Sequence, residues 1–408
     1  MSARLSALSA GLDELGCEAL LVLAPSAQDT DLAPFLPGPA HMGECLLVLP
    51  RGGEPRLGYM TPMEREEAAA TGLALLTPED LEISRLSSEY AEPATFLARV
   101  VGKALELSGL APGRVALAGH GAAGTIQGAC AMLAGQGWIW VPGNGLVFAA
   151  RKRKEAEELD GIREAAAGTC EAMRAVARML AAAEPGAEGE LWLQGEPLTV
   201  ARLRSEVGRI FAVRGYDQPR GNIIAPGEEG GIPHSAGTQD RAVRLGEPLV
   251  VDLFPRGRLF ADCTRTFCVG EPTASFADGY ERVREALMLA HRLARPGTRG
   301  WDIQEAVCAH FTDAGYPTPI SEPGTTRGYV HNLGHGVGFE LHEFPTFKKA
   351  SGGEGVLREG DVFTLEPGLY EPEQGWGIRL EDLVYLGPDG LENLTPLPYD
   401  LDPKAWPS

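Results

Sequence analysis

Short apolar runs separated by turn residues fill the first 150 residues of the chain. The runs at 18–25 (EALLVLAP) and 44–50 (ECLLVLP) predict buried strands, because short continuous apolar runs bounded by turn signals are typical of strands covered on both faces. The segments at 63–76 and 92–110 predict helices. This alternation indicates an α/β domain at residues 1–150. It contains no catalytic motif, and we expect it to shape a site or to build an interface.

A different pattern follows the charged run RKRKEAEELDGIREAA at 151–166. Apolar residues then recur at steps of three and four, which predicts one long helix with a single buried face. These positions are Leu159, Ile162, Ala166, Met173, Val176 and Leu180. We therefore place a domain boundary before this helix and predict a second domain at 151–408.

The second domain shows a faint internal duplication. In each half a helix ends at a Pro-Gly pair, another helix follows, and strands lead to an acidic residue. The stretch from Pro185 to Asp252 and the stretch from Pro296 to Glu366 have similar lengths. Two such halves predict an α+β fold with pseudo-twofold symmetry.

Four carboxylates interrupt the apolar strands of this second domain. Asp252 and Asp262 lie symmetrically about Gly257 in a predicted hairpin, so we expect them to face each other across an antiparallel pair. Glu366 and Glu381 occupy a second pair of strand-like segments joined by a loop. An unpaired carboxylate among Val, Leu and Ile costs several kcal/mol. Each pair therefore needs a proton or a bound cation.

The segment HNLGHGVGFELHEFP at 331–345 holds His331, His335 and His342, and it leaves three roles open: metal ligand, proton or charge handling, or structure. The i, i+4 spacing of His331 and His335 also occurs in helical zinc pairs. The glycines at 334, 336 and 338 disfavour a helix and suit a bent backbone that approaches a metal or substrate closely.

Four carboxylates with His335 make a hard, oxygen-rich ligand set that suits Mn²⁺, Co²⁺ or Zn²⁺. Four carboxylates are more ligands than one divalent ion requires. A pair of bridged ions would use them all and would share a water or hydroxide as nucleophile. The sequence therefore predicts a site for two divalent metal ions.

The charge balance narrows the class of protein. The net charge of -20 argues against a nucleic-acid partner and against an anionic membrane surface, since both select clustered Lys and Arg. No apolar run reaches the roughly 18 residues of a membrane span, and the N-terminus lacks the apolar stretch of a signal peptide. Seven scattered cysteines without a Cys-x-x-Cys pair fit a reducing compartment. We expect a cytoplasmic protein.

Five motifs carry a family resemblance. The segments VVD, DCTRTF, GHGVG, LEPGLY and IRLED resemble, in order, the ligand motifs of the pita-bread metallopeptidases. The resemblance covers roughly residues 155–400 and implies that the metal ligands are Asp252, Asp262, His335, Glu366 and Glu381. It implies a pita-bread catalytic domain with two divalent ions, most often manganese, with zinc or cobalt as alternatives.

The N-terminal 150 residues resemble the extra domain of the creatinase, aminopeptidase P and prolidase branch, which methionine aminopeptidases lack. The resemblance implies that this domain shapes the substrate site and takes part in a homodimer.

Further residues match groups that bind and polarise an Xaa-Pro peptide in this branch. His331 and His342 flank the ligand histidine, and the resemblance implies that they donate hydrogen bonds to the developing oxyanion. His234, in GGIPHSAGT, and Arg379 would hold the end groups of the substrate, and Glu366 would be the general base. A counter-charge for the acidic cluster is the alternative role for Arg379.

One departure from the family pattern concerns the first two ligands. Asp252 and Asp262 lie one residue closer together than is common in the family, and DLFPR replaces the usual D-x-G. This predicts a shortened or differently bulged turn and a shift in specificity.

The resemblance implies hydrolysis of the peptide bond before proline in Xaa-Pro dipeptides, the activity of a prolidase. The nearest alternative is an aminopeptidase P acting on longer peptides. Creatinase, which needs no metal, and a non-catalytic peptide-binding module fit less well, because all five ligand positions are present.

Overall fold

The computed structural model describes residues 3–349 and 355–407, and the chain divides into two compact units, Met1–Arg151 and Lys152–Ser408. The helices of the first unit are α1 (Ala3–Leu15), α2 (Arg65–Ala70), α3 (Ile83–Glu89), α4 (Pro93–Leu107), α5 (Ala123–Ala134) and α6 (Asn144–Lys152). Its strands are β1 (Ala19–Ala24), β2 (Cys45–Pro50), β3 (Arg56–Tyr59), β4 (Ala74–Leu76), β5 (Arg114–Gly119) and β6 (Ile139–Pro142).

The first unit is a mixed sheet covered on both faces. The strand order is β4-β3-β2-β1-β5-β6, with β1 antiparallel to β2 and parallel to β5. Alternate side chains of β1 enter two different cores, Leu20 and Val22 on one face and Leu21 and Leu23 on the other. The continuous apolar run at 18–25 is explained by this two-sided burial.

The predicted helix at 63–76 is wrong in its second half. Helix α2 ends at Ala70, where the hydroxyl of Thr71 donates to the carbonyl of Ala68 at 2.6 Å. Residues Ala74–Leu76 instead pair in parallel with β3. Pairing with a neighbouring strand overrides the helical pattern, which is the usual fate of a short ambiguous apolar run.

The helices of the second unit are α7 (Ala156–Ala181), α8 (Val200–Val213), α9 (Ala274–Leu293) and α10 (Gly300–Asp313). Its strands are β7 (Glu184–Pro185), β8 (Leu191–Leu193), β9 (Glu196–Pro197), β10 (Ile223–Pro226), β11 (Pro248–Leu253), β12 (Cys263–Cys268), β13 (His335–Gly336), β14 (Glu343–Thr346), β15 (Val362–Leu365), β16 (Gly368–Glu371), β17 (Trp376–Arg379), β18 (Asp382–Gly387) and β19 (Gly390–Asn393).

Two helix pairs and two hairpin systems build the second unit. Helices α7 and α8 pack with β10-β11-β12 around one hydrophobic core, and α9 and α10 pack with β15 to β18 around another. The long helix predicted after the charged run is α7, and its six predicted apolar positions are buried. Both features agree with two α/β halves.

The predicted pairing of Asp252 with Asp262 is wrong by two positions. In the β11–β12 hairpin, Asp252 pairs with Thr264, and an outer bridge joins Arg256 to Phe260. The hairpin is therefore centred on Arg258 and not on Gly257. A shift of two positions leaves the side chains of both aspartates on the same face of the hairpin. A shift of one position would have put them on opposite faces.

Glu366 and Glu381 lie at the junction of two antiparallel ladders. Leu365 pairs with Asp382 in one ladder, and Gly368 pairs with Arg379 in the other. Between them the backbone amide of Glu366 bonds to Leu333 and that of Glu381 bonds to Thr264. The interrupted ladder thus ties both glutamates to the neighbouring histidine segment and hairpin.

Arg265 connects the two hairpin systems on the side opposite these glutamates. Its side chain is 1% exposed and donates to the Asp382 carboxylate at 2.7 Å and to the Glu381 carbonyl at 2.6 Å. The carboxylate of Asp382 also contacts His291 and Tyr399. Removal of the guanidinium would leave a buried carboxylate short of its countercharge.

We expect Arg265→Met to lower the free energy of unfolding by about 3–5 kcal/mol, because breaking a buried pair leaves an uncompensated charge. Urea unfolding followed by circular dichroism measures the change. Arg284→Met is the matched control, since Arg284 pairs with exposed Glu281 and its replacement should change stability by less than about 1 kcal/mol. Equal losses in the two variants would contradict this role for Arg265.

Candidate metal centre and active site

The five predicted metal ligands lie at or next to strand ends. Asp252 is the second-last residue of β11, Asp262 directly precedes β12, and His335 begins β13. Glu366 directly follows β15, and Glu381 directly precedes β18. At strand ends the side chain is less constrained by ladder pairing, so groups from several elements can turn toward one point.

Four of these residues meet around the imidazole of His335. Ligand atoms of Asp262, His335 and Glu381 all lie within 4.8 Å of one another. The Nε2 atom of His335 is 3.3 Å from Glu366 Oε1 and 3.7 Å from Asp262 Oδ2. Residues from both halves of the second unit therefore converge on one cluster.

Asp252 joins the cluster through an ion pair with Arg379. The Oδ2 atom of Asp252 lies 2.6 Å from the Nη2 of Arg379. Its Oδ1 atom and the Oδ1 atom of Asp262 are buried, and neither has a hydrogen-bond partner among the described residues. Two orphaned carboxylate oxygens beside a histidine fit a site that binds cations.

The pKa values of the acids reflect the lack of countercharge. Burial, followed by the charges of Glu381, Asp252 and Glu366, raises the pKa of Asp262 well above its usual range. Burial also raises the pKa of Glu366 to about 8, with Asp252 acting in the same direction and Arg379 opposing it. Burial and Glu366 raise the pKa of Glu381. Divalent cations would reverse these shifts.

His335 is oriented as a metal ligand. Burial lowers its pKa to about 3, so the ring is neutral. Its Nδ1 atom lies 3.1 Å from the carbonyl oxygen of Gly336, which assigns the proton to Nδ1. The lone pair of Nε2 then faces the carboxylates, an arrangement that only a cation or a shared proton stabilises.

Glycines on both sides of His335 permit this close packing. A Cβ atom at Gly334 would lie 2.0 Å from the carbonyl oxygen of Thr364, and one at Gly336 would lie 2.0 Å from that of Phe344. Both contacts are with backbone, which cannot move aside easily. The glycines of the histidine-rich segment therefore allow the chain to run between β14 and β15.

Arg379 is held inside the protein. It donates to the hydroxyl of Tyr370 at 2.7 Å, to the carbonyl of Pro233 at 3.3 Å and to the hydroxyl of Thr264 at 3.2 Å, besides its pair with Asp252. This geometry favours the role of counter-charge over the predicted role of holding a substrate end group.

Tyr370 is a site residue that the sequence reasoning missed. Its oxygen accepts from Arg379, so its single proton is directed to the Nε2 of His331, 2.9 Å away. The Nδ1–H of His331 then donates to the carbonyl of Asn332 at 2.8 Å. Both ring nitrogens of His331 are thus engaged within the protein. The available signal was weak, a tyrosine four residues after Glu366.

His342 and His234 complete the predicted set. The ring of His342 lies edge-on to that of His335, with centroids 4.2 Å apart, and the residue is exposed. Partial burial and the charge of Arg220 lower the pKa of His342. His234 is exposed and directly follows Pro233, whose carbonyl accepts from Arg379 at 3.3 Å. All the predicted site residues are therefore brought together.

We expect metal binding to release protons, because Glu366 is mostly protonated near pH 7 when no ion is bound. As the pH rises through about 8 this carboxyl ionises, so the release falls. Titration calorimetry of chelator-treated protein with Mn²⁺, in buffers of different ionisation heat, counts the protons. Glu366→Gln should remove about one of them, and Asp278→Asn, an exposed acid, should remove none. Identical heats in all buffers would contradict the prediction.

The chain is similar to known metallopeptidases and dipeptidases. A model of metallopeptidase family M24 matches residues 160–388. The probable dipeptidase PepE of Mycobacterium tuberculosis is 31% identical over 254 residues, which are 62% of this chain and 60% of that protein. The Xaa-Pro dipeptidase of Pyrococcus furiosus is 34% identical over 198 residues, 47% of this chain and 52% of that protein. The chain thus spans about half to three fifths of the length of these relatives.

The fold has a match over the whole chain. The crystal structure of the prolidase from Pyrococcus horikoshii superposes with a TM-score of 0.76 at 22% identity, covering 98% of this chain and 100% of that one. The predicted pita-bread fold and the predicted family are both confirmed. No helix within the described residues is long and apolar enough to cross a bilayer. Since the family match extends over more than half of the chain, the protein belongs to metallopeptidase family M24.

Proposed function

We propose that the protein is a metal-dependent hydrolase that cleaves the peptide bond before proline in Xaa-Pro dipeptides. One observation carries the proposal: the Nε2 of His335 faces the carboxylates of Asp262, Glu366 and Glu381, and Asp262 and neighbouring Asp252 each have one buried oxygen without a hydrogen-bond partner among the described residues. The activity named for the relatives, dipeptidase and Xaa-Pro dipeptidase, supports the substrate class.

The ions are assigned to the ligand set Asp252, Asp262, His335, Glu366 and Glu381. Manganese suits its oxygen-rich composition, and cobalt or zinc are alternatives. Two divalent ions there would supply Lewis-acid polarisation of the peptide carbonyl and a water of lowered pKa.

Glu366 is the group placed to carry a proton. Its Oε1 faces His335 and its Oε2 lies 4.0 Å from the Nδ1 of His331. Its side chain is 17% exposed, more than that of Asp252 or Asp262, so this carboxyl is open to a proton exchanged with the substrate. We assign to Glu366 the removal of a proton from the attacking water and its transfer to the proline nitrogen as the C–N bond breaks.

The three other histidines near the site are assigned different roles. His331 is fixed by Tyr370 and Asn332, so it positions the neighbouring carboxylate and does not donate to substrate in this geometry. Exposed His342 is therefore assigned to donate a hydrogen bond to the carbonyl oxygen as charge develops there. Exposed His234 is assigned to the substrate amino end.

The first unit is assigned a supporting function. We propose, from the family resemblance alone, that Met1–Arg151 shapes the substrate site and contributes to a homodimer. Gel filtration with light scattering would measure the oligomeric state, and a monomer at micromolar concentration would contradict the dimer.

We expect Asp262→Asn to lower kcat/KM for Ala-Pro by at least about 100-fold, because loss of even an outer-sphere partner of a metal ligand typically costs 10–100-fold. Hydrolysis is followed by release of proline. The variant should keep the circular dichroism spectrum of the native protein, since the side chain belongs to the site and to no core. Asp278→Asn is the matched control. An Asp262→Asn protein that hydrolyses Ala-Pro as fast as the wild-type protein would contradict the proposed function.

A dipeptidase needs a cationic side chain to bind the free carboxylate of the proline residue. Arg379 is not assigned this role, because its buried guanidinium already pairs with Asp252. We assign this role to Arg220, whose side chain is 54% exposed, lies 3.6 Å from Glu340 and is close enough to His342 to lower the pKa of that ring. We expect Arg220→Ala to raise KM for Ala-Pro about tenfold, equivalent to ~1.4 kcal/mol. KM for Ala-Pro amide, which lacks the carboxylate, should not change.

The comparison of Ala-Pro with Ala-Pro-Ala separates the two activities. Faster cleavage of the dipeptide supports a prolidase. Faster cleavage of the tripeptide, with an Arg220→Ala variant unaltered on both, would assign the protein as an aminopeptidase and would remove the role given to Arg220.

A further inference from the structure

A cavity of about 270 Å³ opens on the second unit, and none of its lining residues belongs to the metal centre. One wall is the C-terminal part of α7, and the other is the segment around Pro403–Pro407. The walls present three cations, Arg174, Arg178 and Lys404, and no acidic side chain.

The local structure explains why these cations face one another. Arg174 and Arg178 are four residues apart on α7, so they share one face of the helix. Lys404 lies in a short 3₁₀ turn, where the carboxylate of Asp402 caps the Lys404 amide at 2.9 Å. The turn directs the lysine to the same opening as the two arginines.

The three cations are unpaired within the part of the chain that the structure describes. None of them forms an ion pair or a side-chain hydrogen bond there. Nearby carboxylates are engaged by other groups: Glu206 binds Arg209 at 2.7 Å, and Glu171 binds Arg214 at 2.5 Å. In a chain of net charge -20, three cations that converge without forming an ion pair among the described residues are unexpected.

The floor of the cavity is apolar and rigid. Trp406 is 8% exposed, and its ring lies 5.0 Å from that of Phe267. Its indole N–H donates to the Asp400 carbonyl at 2.9 Å, so the ring offers the cavity only apolar surface. Ala177 and Pro403 continue this floor, and both are buried.

We propose that this cavity is a second binding site, which takes a small organic anion with a carboxylate or phosphate group on an apolar body. The arginine pair offers planar donors that match the oxygens of either anion, and Lys404 adds a point charge. The apolar body lies against Trp406. The overall negative charge of the protein does not prevent this, because at physiological ionic strength charges beyond about 8 Å are largely screened.

The test uses the whole chain after metal removal by a chelator, so that anions cannot bind to ions at His335. Benzoate and phenyl phosphate are titrated by calorimetry, and the unfolding temperature is followed in parallel, since a ligand that binds only the folded state raises it. Benzyl alcohol tests the need for charge, and inorganic phosphate tests the need for an apolar body.

The matched variants are Arg174→Gln/Arg178→Gln and, as control, Arg284→Gln, an exposed arginine on α9 that is paired with Glu281. We expect one or both aromatic anions to bind wild type and the control equally. The double variant should bind at least about tenfold more weakly, or ~1.4 kcal/mol, with an unchanged circular dichroism spectrum. Binding of benzoate alone assigns a carboxylate ligand, and binding of phenyl phosphate alone assigns a phosphate ligand.

Three results would overturn the proposal. They are no binding of either anion, equal binding by the double variant, and binding of benzyl alcohol as tight as that of benzoate. Inorganic phosphate bound as tightly as phenyl phosphate would also overturn it, because the apolar floor would then contribute nothing to binding. None of these results bears on hydrolysis at the metal centre, because the assay contains neither metal nor peptide.

Discussion

The mutual repulsion of buried carboxylates is the constraint on which the catalytic unit depends. Asp252, Asp262, Glu366 and Glu381 come from both halves of the unit and meet beside one neutral imidazole. Hydrophobic packing of two separate cores forces this encounter, since apolar residues of the strands next to these acids are buried in those cores. The four carboxyl groups can therefore all be ionised only when cations are bound.

Side chains alternate along β12, so the residues that contact the metal site and the residue that forms the supporting ion pair lie on opposite faces of the strand. Along β12, Thr264 and Thr266 point toward Glu381 and Arg379, whereas Arg265 points to the opposite face and binds Asp382. The neighbours Glu381 and Asp382 accordingly have opposite roles. Burial raises the pKa of Glu381, while Arg265 and His291 hold the pKa of Asp382 below its usual range despite burial. Asp382 already has a countercharge in Arg265, whereas Glu381 gains one only when a cation binds.

The ligand identities and most long elements were accessible to sequence reasoning, because periodicity, acids within apolar strands and ordered motifs are local features. Helix α7 and strands β1 and β2 were predicted for this reason. The errors arose where a distant partner decides the outcome. Residues 74–76 became a strand through pairing with β3, and the centre of the β11–β12 hairpin was set by the bridge between Arg256 and Phe260.

The sequence by itself determined the chemistry of the site, since five ordered motifs specify the ligand types and the glycines specify a close backbone approach. Only the tertiary structure decided which group each polar atom contacts. Arg379 became the partner of Asp252, and His331 became fixed by Tyr370, because strands far apart in the chain bring these side chains within hydrogen-bond distance. Hydrogen bonds act over about 3 Å, and no linear pattern of residues specifies distances of that size between separate elements.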